Sequence, residues 1–287
     1  MEAPLKGAVL VCIAMLLFTL NDAMVKLAGH GLPIGQVMTL RGIAAAALLV
    51  LVMRAVSVRM EWRQALAPMS LLRAVFDALA SILFVHALLD LPIATVTAFL
   101  QTVPVLSSIA GARVFREGIS RVQWLSLGLC MSGVIAITGL DPAGSLPAVL
   151  VVLLAVVLMV LRDLATRKTD PSVPSLTIAL VSTLAVPVLN LPLSGVADWS
   201  IPGPLQAGLL AGTALCVGGG TLLLIIAMRI TTLSRIAPFR YSAMVFAVIV
   251  GAVVWREIPD AGVLLGVALI LIGGTLGAGA ARTAPAT

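Results

Sequence analysis

Charge is scarce in this chain. Of 287 residues only 10% are Asp, Glu, Lys or Arg, while 61% are hydrophobic. Soluble domains carry ~25% charged and ~45–50% apolar residues. So large an apolar excess cannot be hidden in one soluble core, because the surface of a folded domain still needs polar cover. Histidine is nearly missing: His30 and His86 are the only two, too few for a multi-histidine metal site. The three cysteines, Cys12, Cys130 and Cys216, lie far apart inside apolar runs. They give neither a disulfide framework nor zinc spacing and read as small hydrophobes in helices. GxSxG, HExxH and the phosphate-binding GxxxxGK loop are all absent. No catalytic residue, metal or cofactor is therefore expected, and ATP is not expected to be the direct energy source. The net charge of +6 does not point to nucleic acid, since the basic residues are scattered between apolar runs rather than massed on a polar domain.

What the chain has in abundance is long apolar runs. A spanning helix needs ~20 mostly apolar residues. Ten segments meet or approach that length: 7–27, 34–53, 70–90, 92–115, 121–140, 146–165, 173–193, 204–228, 233–255 and 261–279. The first follows Lys6 and has the length of a signal-peptide core, but no small-x-small cleavage site follows it. It is expected to remain as the first transmembrane helix. The longest loop, 54–69, leaves no room for a soluble domain, and Asp90–Leu91–Pro92 forces the third and fourth segments into an antiparallel hairpin. Alternate loops collect the basic residues: Arg54, Arg59 and Arg63; Arg113, Arg116 and Arg121; Arg167 and Lys168; Arg229 and Arg235, with Lys6 and Arg282 at the ends. The opposite loops hold mainly His30, Asp90, Asp141 and Asp198, with Arg256 near one of them. The positive-inside rule then predicts both termini inside.

The two halves resemble each other at an offset of about 140 residues. Leu20–Asn21–Asp22 matches Leu161–Arg162–Asp163, Pro33 matches Pro174, Phe115–Arg116–Glu117 matches Trp255–Arg256–Glu257, and Gly133 matches Gly273. Residues 1–140 and 141–287 thus read as repeats. Five helices is an odd number, so the second repeat must insert upside down, and the loop charges change sides accordingly. The expected fold is all-α: a polytopic membrane protein of ten transmembrane helices in two inverted five-helix repeats. Inverted repeats are the architecture of many secondary transporters, with the substrate near the midplane.

The repeat ends carry a family resemblance. Pro92, Thr95, Thr97, Gln101 and Pro104 lead to Phe115–Arg116–Glu117, Gly128 and Gly133 in the first half. Ser234–Arg235–Ile236–Ala237–Pro238 leads to Trp255–Arg256–Glu257, Gly266 and Gly273 in the second. An aromatic two residues before Glu, then a Gly-spaced last helix, resembles the EamA-type members of the drug/metabolite transporter superfamily. The resemblance covers essentially the whole chain. It implies export of metabolites, with bacterial amino-acid exporters, including the aromatic amino-acid exporter group, the most similar branch. Met244 departs from the pattern, standing where Pro104 predicts a proline.

Ionisable residues within the bilayer cost at least ~2.5–3.5 kcal/mol each and need partners or water. Asp22 and Lys26 share a face by their i,i+4 spacing, beside Asn21. They read either as a gating or coupling site or as a local ion pair with Lys26 snorkelling to the interface. Arg73 and Asp77 repeat that spacing, with Ser81 and Phe84 continuing the stripe toward substrate or toward another helix. Arg41 is expected to pair with Asp22 or Asp77. Asp163, beside Arg162, reads as a local pair. Thr97, Gln101, Pro104 and Ser108 form one polar stripe, and Pro104 frees a carbonyl near Leu100. Phe239, Arg240 and Tyr241 are suited to an amino-acid substrate: a planar fork for its carboxylate and rings for its side chain. Gly218–Gly219–Gly220 is a hinge or a close-packing surface. His86 is a proton-coupling or a structural histidine.

The expected substrate-binding residues are therefore Thr97, Gln101, Asp77, Ser81, Phe239, Arg240 and Tyr241, with Asn21, Asp22 and His86 gating or coupling. Asp22, Asp77 and Asp163 lie on different helices and two sides, which predicts that no carboxylate pair converges as an intramembrane enzyme would need. A channel or structural subunit is the third alternative. The partners expected are a small molecule (an amino acid or related metabolite) and membrane lipid, without nucleic acid. A monomer is the working expectation. A bacterial inner membrane is implied by the resemblance and by the missing transit peptide.

Overall fold

The computed structural model describes residues 3–57, 62–114, 116, 120–138, 146–170, 173–230, 237–257 and 260–283. Arg59, Phe115, Glu117, Asp141 and 234–236 lie outside them, as do the side chains of Arg229, Pro238 and Arg282. The regular elements among the described residues are all helical. In chain order they are α1 (Ala3–Gly29), α2 (Ile34–Ala55), α3 (Trp62–Ala65), α4 (Pro68–Asp90), α5 (Ile93–Leu100), α6 (Val103–Val114), α7 (Arg121–Thr138), α8 (Leu146–Lys168), α9 (Ser175–Asn190), α10 (Pro204–Ile230), α11 (Ser242–Trp255) and α12 (Ala261–Thr283). By length and composition Leu5–Gly29, Ile34–Ala55, Pro68–Asp90, Ile93–Val114, Leu146–Lys168 and Pro204–Leu224 can cross a membrane. Arg121–Ile137, Leu176–Asn190, Phe239–Trp255 and Ala261–Gly277 are shorter apolar helices.

Prolines set the breaks. The span expected over 92–115 is two helices, α5 and α6, because Pro104 has no N–H to return to the Leu100 carbonyl. Gln101 caps α5 with its N–H on the Thr97 carbonyl, and the ladder resumes where the Leu106 N–H meets the Thr102 carbonyl. The ninth segment likewise opens as a 3-10 turn, Ala237–Tyr241, and becomes α-helical only at Ser242. Pro33 and Pro174, matched by the repeat offset, each cap a helix with φ/ψ of −53/131 and −59/134 degrees. Arg116 and Arg256, matched in the same way, both adopt left-handed backbone, φ 58 and 57 degrees, a conformation uncommon outside glycine.

The chain divides into two compact units that do not follow the sequence halves. One comprises 1–20, 90–149 and 219–287; the other comprises 21–89 and 150–218. The cuts fall inside α1, α8 and α10.

In the first unit α7 and α12 form the most extensive helix pair. Small residues make it possible, since in lipid close van der Waals approach rather than hydrophobicity drives helix pairing. A Cβ on Gly133 would lie 2.7 Å from the Gly266 carbonyl oxygen, and one on Gly266 would lie 2.5 Å from the Gly133 oxygen. The Ser126 hydroxyl donates to the Gly273 carbonyl at 2.6 Å. Cys130, Val105 and Ile109 fill the adjoining core. Val11, Ala14 and Met15 of α1 pack on Ala227 with Leu223 and Phe246 around them.

In the second unit α2 and α9 are the main pair. Asn190 Nδ2 donates to the Gly35 carbonyl at 2.7 Å and to Thr39 Oγ1 at 2.9 Å. Gln36 donates to the Ser200 carbonyl at 2.5 Å and accepts the Ser200 N–H at 3.1 Å. Gly218 packs within this unit, where a Cβ would meet Leu48, while Gly219 and Gly220 pack within the first, where a Cβ would meet Leu17 at 3.3 Å and Phe18 at 2.8 Å.

Gly133→Ala and Gly266→Ala are each expected to destabilise by ~1–3 kcal/mol, because each new methyl meets backbone rather than a flexible side-chain end. Gly128→Ala, whose Cβ meets nothing within 4 Å, should be neutral or stabilising by up to ~1 kcal/mol. Thermal unfolding in detergent separates the three; equal shifts would contradict the glycine seam.

Candidate functional site

A cavity of about 160 Å³ lies within the second unit. Arg41 enters it from α2, Asp77 and Ser81 from α4, and Ser182 and Thr183 from α9; Gly42, Ala45, Val186 and Val217 supply apolar wall. Buried polar groups must find partners inside the protein when lipid surrounds it. Here they do so through one network. Arg162 of α8 lies between two carboxylates: Nη1 donates to Asp77 Oδ1 at 2.9 Å, while Nε and Nη2 donate to Asp163 Oδ1 at 3.0 and 2.8 Å. Arg73, one turn before Asp77, has Nη1 3.9 Å from Asp77 Oδ2. Its Nε donates to Thr166 Oγ1 at 2.9 Å and its Nη1 to Ser182 Oγ. Three helices, α4, α8 and α9, are thereby tied around one side of the cavity.

Arg41 sits in the field of Asp22, and Asn21 Nδ2 donates to Asp22 Oδ1 at 2.9 Å. Asn21 is buried, and its Oδ1 has no hydrogen-bond partner among the described residues.

The expected site residues fall into two groups. Asp77 and Ser81 line the cavity, with Asn21 and Asp22 linked to it through Arg41. Thr97, Gln101, Phe239, Arg240 and Tyr241 belong to the first unit. There Thr97 is buried in α5, and Gln101 Nε2 donates to the Arg240 carbonyl at 3.4 Å. Phe239 and Arg240 are exposed. Tyr241 is only 4% exposed, its ring seated where a Cβ on Gly274 would have to be; it packs against α12. His86 is exposed on α4.

Three expectations need correction. Lys26 does not snorkel: it is 6% exposed, in a stretch of α1 that is buried on more than one face, as Val25 and Ala28 show. The polar stripe from Thr97 to Ser108 is not one continuous helix face, since the chain breaks at Gln101–Thr102, Pro104 is exposed and Ser108 accepts a bond from Gln123 Nε2 at 2.9 Å. Asp77 and Asp163 do converge, because each is bonded to Arg162. Sequence reading also missed Arg162, Thr166 and Ser182 as partners of the Arg73–Asp77 stripe. Their signal was present as hydroxyls and an arginine inside apolar helices, but which of them face α4 depends on helix rotation.

Apolar helices of membrane-crossing length, with a polar, charged cavity among those of the second unit, define a multi-pass membrane protein. The chain belongs to the EamA-like transporter family, which matches residues 5–139 and 146–276. It is a transporter rather than an enzyme. Pseudopaline exporters CntI from two strains of Pseudomonas aeruginosa are each 26% identical to it, over 93% of this chain and 93% of their own. A chain known from a crystal structure shares the fold over 96% of this chain and 97% of its own, with a TM-score of 0.69 and 17% identity.

Arg162→Met leaves two carboxylates short of their cation and is expected to cost about 1–3 kcal/mol, reduced from the fully buried case by partial exposure. Asp163→Asn, which keeps an acceptor, should cost less. Unfolding in detergent measures both; equal losses would mean that Arg162 does not bridge the helices.

Proposed function

We propose that this protein is a secondary transporter that exports small metabolites, above all amino acids, by alternating access across a bacterial inner membrane. The observation that carries the reading is the charged cavity: Arg41 and Asp77 face a space of about 160 Å³, smaller than the ~300–1,000 Å³ of pockets for drug-sized ligands. Opposite charges there suit a substrate that bears both. Outward direction is supported by the relatives named as exporters. In this reading ten helices span the membrane as two inverted repeats, 1–140 and 141–287, with both termini inside, and a single chain works alone. The breaks at Gln101–Thr102 and Ala237–Tyr241 give each repeat a helix able to change direction without breaking a regular ladder. Thr97, Gln101, Phe239 and Arg240 line the substrate's way through the first unit. Asn21 and Asp22 couple the cavity to gating.

A second reading is export of pseudopaline or a molecule of its kind, favoured by the 26% identity over nearly the whole length of those exporters.

Proteoliposomes holding the purified protein test both. Saturable efflux of labelled amino acids, competed by unlabelled amino acids, is expected. Flux of pseudopaline alone would select the second reading, and flux that never saturates would indicate a channel. For orientation, single cysteines placed at His30 and at Lys168 in a cysteine-free background should be labelled by an impermeant maleimide from outside and inside respectively; the reverse pattern would overturn the inside termini.

A further inference from the structure

We infer that the second unit's cavity reads both ends of a free α-amino acid, with Arg41 and Ser182 taking the carboxylate and Asp77 and Thr183 taking the ammonium. This rests on the transporter reading above and adds the site and the class of substrate side chain.

The assignment follows from which hydrogen-bonding capacity is already used. Ser182 Oγ accepts a bond from Arg73 Nη1. A hydroxyl whose lone pair is engaged by a guanidinium still has its own proton to give, so Ser182 is a donor toward the cavity. Thr183 is the converse. Its hydroxyl donates to the Ala179 carbonyl at 2.8 Å, leaving its oxygen as an acceptor. Asp77 spends Oδ1 on Arg162 at 2.9 Å, while Oδ2 has Arg73 only at 3.9 Å, beyond hydrogen-bond distance. One carboxylate oxygen is therefore open to an ammonium. No hydrogen bond holds the Arg41 guanidinium among the described residues, and the carboxyl that acts on its charge is Asp22. Arg41 thus presents a fork that matches a carboxylate in two parallel bonds.

The cavity offers donors from Arg41 and Ser182 and acceptors from Asp77 and Thr183. A ligand with a single charge leaves one set unpaired and so binds more weakly than one that satisfies both. Ala45, Val186 and Val217 form the apolar wall, and the small volume leaves it room for a short aliphatic side chain before an aromatic one.

The test uses the full chain in proteoliposomes and labelled L-valine. Unlabelled L-valine and L-alanine should compete, with isobutylamine and isovalerate, which each lack one charge, at least ~10-fold weaker. L-tryptophan should compete less well than L-valine. Ser182→Ala should raise KM for L-valine about tenfold with kcat little changed. Arg41→Lys, which keeps the charge but loses the fork, should weaken L-valine while leaving isobutylamine competition unmoved. Thr183→Val is the mirror case and should leave isovalerate unmoved. Saturable L-valine flux that Arg41→Lys, Ser182→Ala and Thr183→Val all leave intact would overturn this site and leave the transporter standing. Equal competition by the singly charged analogues, or preference for L-tryptophan, would overturn the recognition argued here. Absence of saturable flux of any amino acid in the unsubstituted protein would overturn the substrate class as well.

Discussion

The arginine of α8 that bonds two carboxylates is the interaction on which the second unit depends. In an apolar solvent a lone charge is expensive, and polar backbone or side-chain groups without internal partners are more so than in water. Arg162 turns three separate liabilities, its own charge and those of Asp77 and Asp163, into one network. Arg73 extends that network to hydroxyls on α8 and α9. Two of the helices that supply the cavity's polar lining, α4 and α9, are joined by these bonds.

The first unit's main helix pair is built differently. It relies on missing side chains: glycines on α7 and α12 bring backbone against backbone, and Ser126 converts that closeness into a hydrogen bond. The second unit adds a polar lattice to close contacts of the same kind between α2 and α9, where a Cβ on Gly42 would lie 2.8 Å from Pro187. A substitution in the close contacts is felt through volume, whereas one in the lattice is felt through unpaired charge.

Much of this was legible in the sequence, for physical reasons. Long apolar runs with few charges fix where helices lie, and helix is found in each of the ten runs. Pro33 and Pro174 announce their helix starts, and the i,i+4 spacing of Arg73 and Asp77 announces a shared face. What was not legible is rotation and tertiary contact. Lys26 reads as an interfacial snorkeller by composition, yet its position on α1 puts it inside. Tyr241 reads as a recognition residue by its rarity; the seat of its ring against Gly274 is a tertiary contact that no spacing announces. Arg162 reads as the neighbour of Asp163, and only the approach of α4 reveals its second partner. Pro104 signalled a freed carbonyl, but the full break into α5 and α6 is a matter of how far the backbone relaxes around it.

The pairing of α7 with α12 has a consequence for how the protein is made. The two helices are separated in the chain by more than a hundred residues, Thr138 ending one and Ala261 opening the other. At ~5–20 residues per second of synthesis the glycine face of α7 waits on the order of ten seconds for its partner. During that wait the face presents bare backbone to lipid or to whatever small-residue helix is at hand. The glycine face of α7 is therefore made well before the helix that covers it, and α12 closes the seam.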